Sequence, residues 1–224
     1  QAPQNKDVLQ QLGKLALATG DKALAMDAFG DYVEGNPTDA TSKFAYITLL
    51  IEAGKTEDAD PMVTELLNNN PQHPLLNQYK GIIEANAGNY EKAMSFLETA
   101  MRNGNNNPAI RLLGGYVAYQ MQDFAAANEY LSEVAPALPA DHPALRMLAD
   151  SLLQMGQGED ASQILNRVEV DGEAGASLFS KAGYQLLRQG NVVDAKAMIE
   201  KSGTMSETAE DLARLGVLQL SVND

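Results

Sequence analysis

QLGKLALATGDKALAMDAFGDYVEGNP, residues 11–37, reads as helix, tight turn, helix and stop. Leu12-Gly13 falls in the first helix and Gly20-Asp21 makes the turn. Ala25 and Phe29 lie in the second helix, and Asn36-Pro37 closes the unit. Each punctuation mark has a physical reason. Gly20 adopts the left-handed conformation that ends a helix at low cost. Asp21 caps the next helix, and its charge suits the positive N-terminal end. Ala25 lets the two helices approach; a larger side chain would overpack the pair at a cost of about 1–3 kcal/mol. Pro37 lacks the donor a further helical turn needs.

Working outward from this unit, steps of 34 residues from Ala25 land on Ala59, Ala93, Ala127, Ala161 and Ala195. The same step from Gly20 lands on Gly54, Gly88, Gln122, Gly156 and Gly190. A helix–turn–helix period of 34 is the signature of tetratricopeptide repeats, which this chain resembles over nearly its whole length. The implied fold is all-α: a right-handed superhelix (α-solenoid) of about six helix–turn–helix repeats plus a final helix. The frame places repeats at 6–39, 40–73, 74–107, 108–141, 142–175 and 176–209, with a terminal helix at about 207–222, in one array over 1–224. Leu215-Gly216 and Val222-Asn223-Asp224 return to the register of Leu12-Gly13 and Thr19-Gly20-Asp21, so the stretch reads as a piece of a longer array.

Departures from the frame are informative. Pro61 falls inside a second helix and is tolerable if that helix starts near Thr56, where amides lack partners anyway. Gln122 replaces a turn glycine, at a cost of about 1–2 kcal/mol if it must be left-handed. Pro136 and Pro139 end a second helix early, 103–107 is a polar turn, and Val168 to Gly175 reads as a loop.

Composition narrows the functional classes. The 224 residues carry a net charge of −14, so the basic stripe that nucleic acid requires is missing. No cysteine is present, which excludes disulfides, thiolate metal sites and a cysteine nucleophile. No apolar run approaches a membrane span, so direct membrane insertion is not expected. His73 and His142 each precede a proline at a repeat junction and read as solvated. No metal-binding HExxH pair, phosphate loop or nucleophile elbow is present. The acid pairs Glu57-Asp58 and Glu159-Asp160 open second helices, where the helix dipole suffices to explain them. The chain reads as no enzyme, with no cofactor and no metal.

In the repeat family that the chain resembles, first helices line an inner groove. Carried over by position, the inward residues make an apolar and aromatic floor in repeats three to six: Ile82, Leu112, Tyr116, Tyr119, Leu153, Tyr184 and Leu187, with Phe44 in repeat two. A polar rim would be Asn86, Gln120, Arg146, Asp150, Gln154 and Arg188. Tyrosine and arginine commonly anchor binding surfaces, and such a groove suits an extended peptide or amphipathic helix. The alternative is that these tyrosines pack between neighbouring first helices. The carboxylate clamp of chaperone-binding repeats would fall on Gln10 and Lys14, then Ala45, then Leu75 and Tyr79, and the pattern fails.

A narrower resemblance rests on GGYVAYQMQDFAAANEYLSEV (114–134) and HPALRMLADSLLQMGQGEDASQIL (142–165). These phrases resemble bacterial repeat lipoproteins of PEP-CTERM and exopolysaccharide systems. That resemblance implies a lipid-anchored periplasmic or outer-membrane scaffold for polysaccharide export or envelope assembly; without it a cytoplasmic location is expected. The expected function is a protein-interaction scaffold for a protein or peptide partner. Two alternatives are a self-associating structural module (a homo-oligomer) and an accessory domain of a larger enzyme or regulator.

Overall fold

Turns spaced 34 residues apart set the architecture. In the computed structural model, which describes residues 6–205 and 216–221, Gly20, Gly54, Gly88, Gln122, Gly156 and Gly190 all have positive φ, between 59° and 81°. After each, the next amide bonds back across the helix end: Asp21 to Ala16 O, Lys55 to Leu50 O, Asn89 to Glu84 O, Asp123 to Ala118 O, Gln157 to Leu152 O and Asn191 to Leu186 O, at 2.8–2.9 Å. This closure satisfies carbonyls that a helix end would otherwise orphan. Gln122, at φ 59°, takes the left-handed position without a glycine's freedom.

The chain divides into two compact units, Gln1–Asn106 and Asn107–Asp224. The first contains α1 (Lys6–Thr19), α2 (Lys22–Gly35), α3 (Ala40–Glu52), α4 (Thr56–Asn69), α5 (Pro74–Asn86) and α6 (Tyr90–Arg102). The second contains α7 (Pro108–Gln120), α8 (Phe124–Val134), α9 (Pro143–Gln154), α10 (Gly158–Leu165), α11 (Gly172–Arg188) and α12 (Val192–Met205). A 3₁₀ turn, Ala135–Ala137, follows α8 where Pro136 stops it. The described residues contain no strand. The terminal helix expected at 207–222 falls largely outside them; residues 216–221 are helical, and Leu218 is buried with Ile199.

Helices pack as antiparallel hairpins, α1 with α2, α3 with α4 and so on, and each hairpin packs on the next within its unit. Ala25, Ala59, Ala93, Ala127, Ala161 and Ala195 are all fully buried. A second periodic position faces them. A Cβ added to Gly13 would stand 2.9 Å from the Phe29 ring, one on Gly81 2.6 Å from Leu97 Cδ2, and one on Gly183 2.6 Å from Ile199 Cγ1. At Gly115 the same atom would collide with Leu131. The partner is always sixteen residues downstream. In the two remaining hairpins the pairs are Ile47 with Val63 and Ala149 with Leu165, all fully buried.

Three local expectations need correction. Pro61 is the sixth residue of α4, beyond the first turn, so the helix does lose one amide hydrogen bond there. The expected loop at 168–175 ends early, because α11 already starts at Gly172. Its small first turn packs closely: a Cβ on Gly175 would meet Val170 and Met205 at 3.2 Å. The histidines are not simply solvated. His73 Nδ1 accepts the Leu76 amide at 3.3 Å and His142 Nδ1 the Ala144 amide at 3.1 Å, so each imidazole caps the helix that its following proline begins.

The left-handed Gln122 generates a stability test. Gln122→Gly relieves about 1–2 kcal/mol of backbone strain against about 0.5–1 kcal/mol of added unfolded-chain entropy. A net gain of about 0.5–1 kcal/mol is expected in chemical denaturation, whereas Gly88→Gln, the reverse change at an equivalent turn, should destabilise.

Candidate peptide-binding cleft

The second unit presents its first helices, α7, α9 and α11, side by side. Contacts between neighbouring first helices recur at an offset of 31 residues, one turn less than the repeat. In the first unit Thr48 Oγ1 and Tyr79 Oη lie 2.9 Å apart. In the second, Tyr119 Oη donates to Asp150 Oδ2 at 2.8 Å, and Lys181 Nζ approaches Asp150 Oδ1 at 3.3 Å. Asp150 thus ties three successive repeats together.

These residues border a cleft of about 390 Å³. Its polar side carries Tyr119, Arg146, Asp150, Ser177 and Lys181; Pro143, Met147, Ala174 and Leu178 supply the apolar lining. The floor is firm because Leu178 belongs to the core formed by Leu145, Leu148, Leu152 and Phe179, and Met147 packs against it. The rim is charged and open. Arg146 is exposed and has no ion-pair partner among the described residues, and the Lys181 side chain is 49% exposed. Burial, reinforced by the hydrogen bond to the Asp150 carboxylate and its charge, pushes the Tyr119 phenol up to about 12. Tyr119 therefore stays a donor across the ordinary pH range. Its ring also meets Phe124 edge-on, with centroids 6.0 Å apart.

A smaller cleft of about 290 Å³ lies further along α11, lined by Gly156, Gln185, Arg188 and Gln189. Here α11 grips the end of α9. Gln185 Nε2 donates to Leu153 O and Gln189 Nε2 to Gly156 O, the latter at 2.9 Å. Between the two clefts Tyr184 stands 53% exposed.

The residues expected to form one groove divide by location. Tyr119, Arg146 and Asp150 converge in the larger cleft; Arg188 lines the smaller one, and Tyr184 lies on the helix joining them. Leu112 and Leu187 are half-buried against the unit's core, Leu153 is buried within it, and Tyr116 is half-buried on α7. In the first unit Phe44 packs against the rings of His73 and Tyr79, at 5.2 and 6.2 Å, and Ile82 packs against the cluster of Ile47, Leu50 and Val63. Sequence reading missed Lys181, Ser177 and Met147. The signal for Lys181 was available: it stands 31 residues after Asp150, which stands 31 after Tyr119.

Among the described residues no group of three His, Asp or Glu side chains could hold a metal ion, and no helix is long and apolar enough to cross a membrane.

The raised phenol has a signed consequence. A folded pKa above the unfolded value of about 10 gives stability that is complete below pH 10 and disappears as pH rises toward 12. Tyr119→Phe should cost about 1.5–3 kcal/mol at pH 8 through loss of a hydrogen bond to a charged acceptor. In urea titrations at rising pH, the gap between wild type and Tyr119→Phe should narrow above pH 10.

Comparisons with known proteins agree with the repeat geometry. Family models described as tetratricopeptide repeat match residues 44–108 and 118–172, together more than half the chain. No curated protein matches it. Among solved structures the chain is similar to YrrB, described as a TPR protein with an unusual peptide-binding site, with a TM-score of 0.67 and 21% identity, covering 84% of this chain and 97% of that one. It is also similar to a tetratricopeptide repeat protein from Parabacteroides merdae, with a TM-score of 0.54 and 20% identity over 98% of this chain and 85% of that one. PilW, described as a widely conserved type IV pilus biogenesis factor, gives a TM-score of 0.55 and 19% identity over 95% and 98%. At these identities the likenesses speak to fold alone. On the family matches and the 34-residue geometry that underlies them, the chain belongs to the tetratricopeptide-repeat family.

Proposed function

We propose that this protein is a non-enzymatic interaction scaffold and that its second unit binds a peptide or helix in the cleft on α7, α9 and α11. One observation carries the reading: Tyr119, Asp150 and Lys181 from three successive repeats are locked together at the edge of an apolar-floored cleft, beside an exposed Arg146. A surface already ordered by its own hydrogen bonds loses little further entropy when a ligand docks. Apolar lining with a few fixed polar groups is what peptide pockets require. YrrB, the similar structure described as having an unusual peptide-binding site, is in keeping with this use of the fold.

A second reading is self-association. Val8 and Leu15 on α1 are 57% and 62% exposed and border a shallow apolar hollow with Leu12. A second copy of the chain covering this face would give a molar mass that rises with concentration in light scattering, and Leu15→Lys would abolish the rise. A constant monomer mass contradicts that reading.

Service in envelope assembly or polysaccharide export is the narrower form of the scaffold proposal. It is supported by the phrases at 114–134 and 142–165, and it is in keeping with the likeness to a pilus biogenesis factor.

The experiment that tests the scaffold reading uses Ala174→Tyr, which fills the cleft from an exposed position and should leave the helical circular-dichroism spectrum unchanged. Partners captured from membrane and soluble fractions by wild type should be lost or reduced at least tenfold on the variant. The same partners on both baits would remove the cleft from the proposal. Partners drawn only from the soluble fraction would remove the envelope role.

A further inference from the structure

The two clefts along α11 have a property that the chain as a whole lacks. In a protein of net charge −14, the exposed charges lining them are Arg146, Lys181 and Arg188, against the single carboxylate of Asp150. Asp150 is already engaged, since it accepts from Tyr119 and Lys181 and its side chain is only 14% exposed. Arg146 has no ion-pair partner among the described residues, and the same holds for Arg188. A local excess of cations in an acidic molecule selects ligand charge: it attracts carboxylates, while the surrounding field repels acidic segments that fail to reach it.

The spacing is also fixed. Lys181 and Arg188 are two turns apart on α11, so their Cα atoms are separated by about 10 Å along the helix. A peptide in the extended polyproline II form covers that distance in about three residues, and with about three residues per turn it brings side chains three positions apart onto the same face. Tyr184, between them and 53% exposed, offers an aromatic face to whatever side chain lies at the midpoint. The apolar lining of Met147, Leu178 and Pro143 lies beside the first cation pair.

We infer that the seam between α9 and α11 reads an extended acidic segment in which two Asp or Glu residues stand three positions apart. The first carboxylate meets Arg146 and Lys181, and the second meets Arg188. An apolar residue next to the first acid enters the lining formed by Met147 and Leu178. This inference rests on the peptide-binding reading and specifies its ligand. A carboxylate could equally be presented by a chain terminus, so the test must separate the two sources.

The probe is a random dodecapeptide library displayed on phage with its C-terminal side fused, so that only side-chain carboxylates are offered, alongside a second library with free C-termini. The bait is the full chain. From the fused library, selected sequences should be enriched in acidic residues three apart. A synthetic, terminally blocked winner should lose at least tenfold in affinity with Arg146→Gln/Lys181→Gln and with Arg188→Gln. Its binding should also weaken at least tenfold between 50 and 500 mM salt, as expected of pairs on an exposed rim. These side chains are exposed, and unchanged thermal melts confirm that each variant is folded. Enrichment only in the free-C-terminus library would overturn the internal acidic motif. Binders that lack acids and ignore the arginine and lysine substitutions, yet are lost with Ala174→Tyr, would overturn the inference while leaving the peptide-binding cleft. Failure of both libraries to yield any binder would overturn the inference and the cleft reading together.

Discussion

Everything in this structure depends on how closely two helices can cross within a hairpin. The crossing is set by pairs sixteen residues apart, Gly13 with Phe29, Gly81 with Leu97, Gly115 with Leu131 and Gly183 with Ile199. In each, a bulky side chain of the second helix occupies the space a Cβ on the first would need. The buried alanines, one per repeat, let the second helix lie equally close from its own side. Interiors pack at crystal-like density, so a glycine facing a leucine is a volume statement as definite as a leucine facing an alanine. The hairpin at Ala149 and Leu165 obeys the same economy with one extra methyl. The hairpin at Ile47 and Val63 divides the volume between two branched side chains instead.

Once the hairpins are fixed, neighbouring first helices are brought into line, and their side chains meet at the 31-residue offset. In the first unit that offset joins Thr48 to Tyr79, a contact inside the packing of Phe44 and His73. In the second it runs twice in succession, from Tyr119 to Asp150 and on to Lys181. The candidate site is therefore a product of the repeat geometry: an aspartate placed where two neighbours both reach it, with a cleft left beside the three.

The alternation of helix and turn was legible in the sequence, because it depends on residues whose backbone preferences are local. Gly20 and its equivalents specify a left-handed turn, and Pro37, Pro108 and Pro136 specify starts and stops. Position 122 was legible even with the wrong residue, since the period required a left-handed turn there. Tertiary consequences were harder to read. The capping roles of His73 and His142 depend on an imidazole nitrogen meeting an amide two or three residues ahead, which sequence patterns reserve for Asp, Asn, Ser and Thr. The start of α11 at Gly172 was hidden because a glycine-rich run reads as loop unless its packing partners, Val170 and Met205, are known. Of the candidate site, Tyr119, Arg146 and Asp150 could be named from family geometry alone. Lys181 was missed because single positions were compared within repeats, when the contact that matters joins different positions of adjacent repeats.

The crossing constraint is tested most directly by a double-mutant cycle at Gly115 and Leu131, read by urea denaturation. Gly115→Ala in the wild-type background should overpack the pair and cost about 1–3 kcal/mol. Leu131→Ala alone should cost about 2–5 kcal/mol by opening a cavity. In the Leu131→Ala background the added methyl has room, and the better helix propensity of alanine should turn Gly115→Ala neutral or stabilising by up to about 1 kcal/mol. That reversal of sign is the result the account requires. Additive costs, with Gly115→Ala equally damaging whether or not Leu131 is present, would show that the glycine serves something other than the close approach of the two helices.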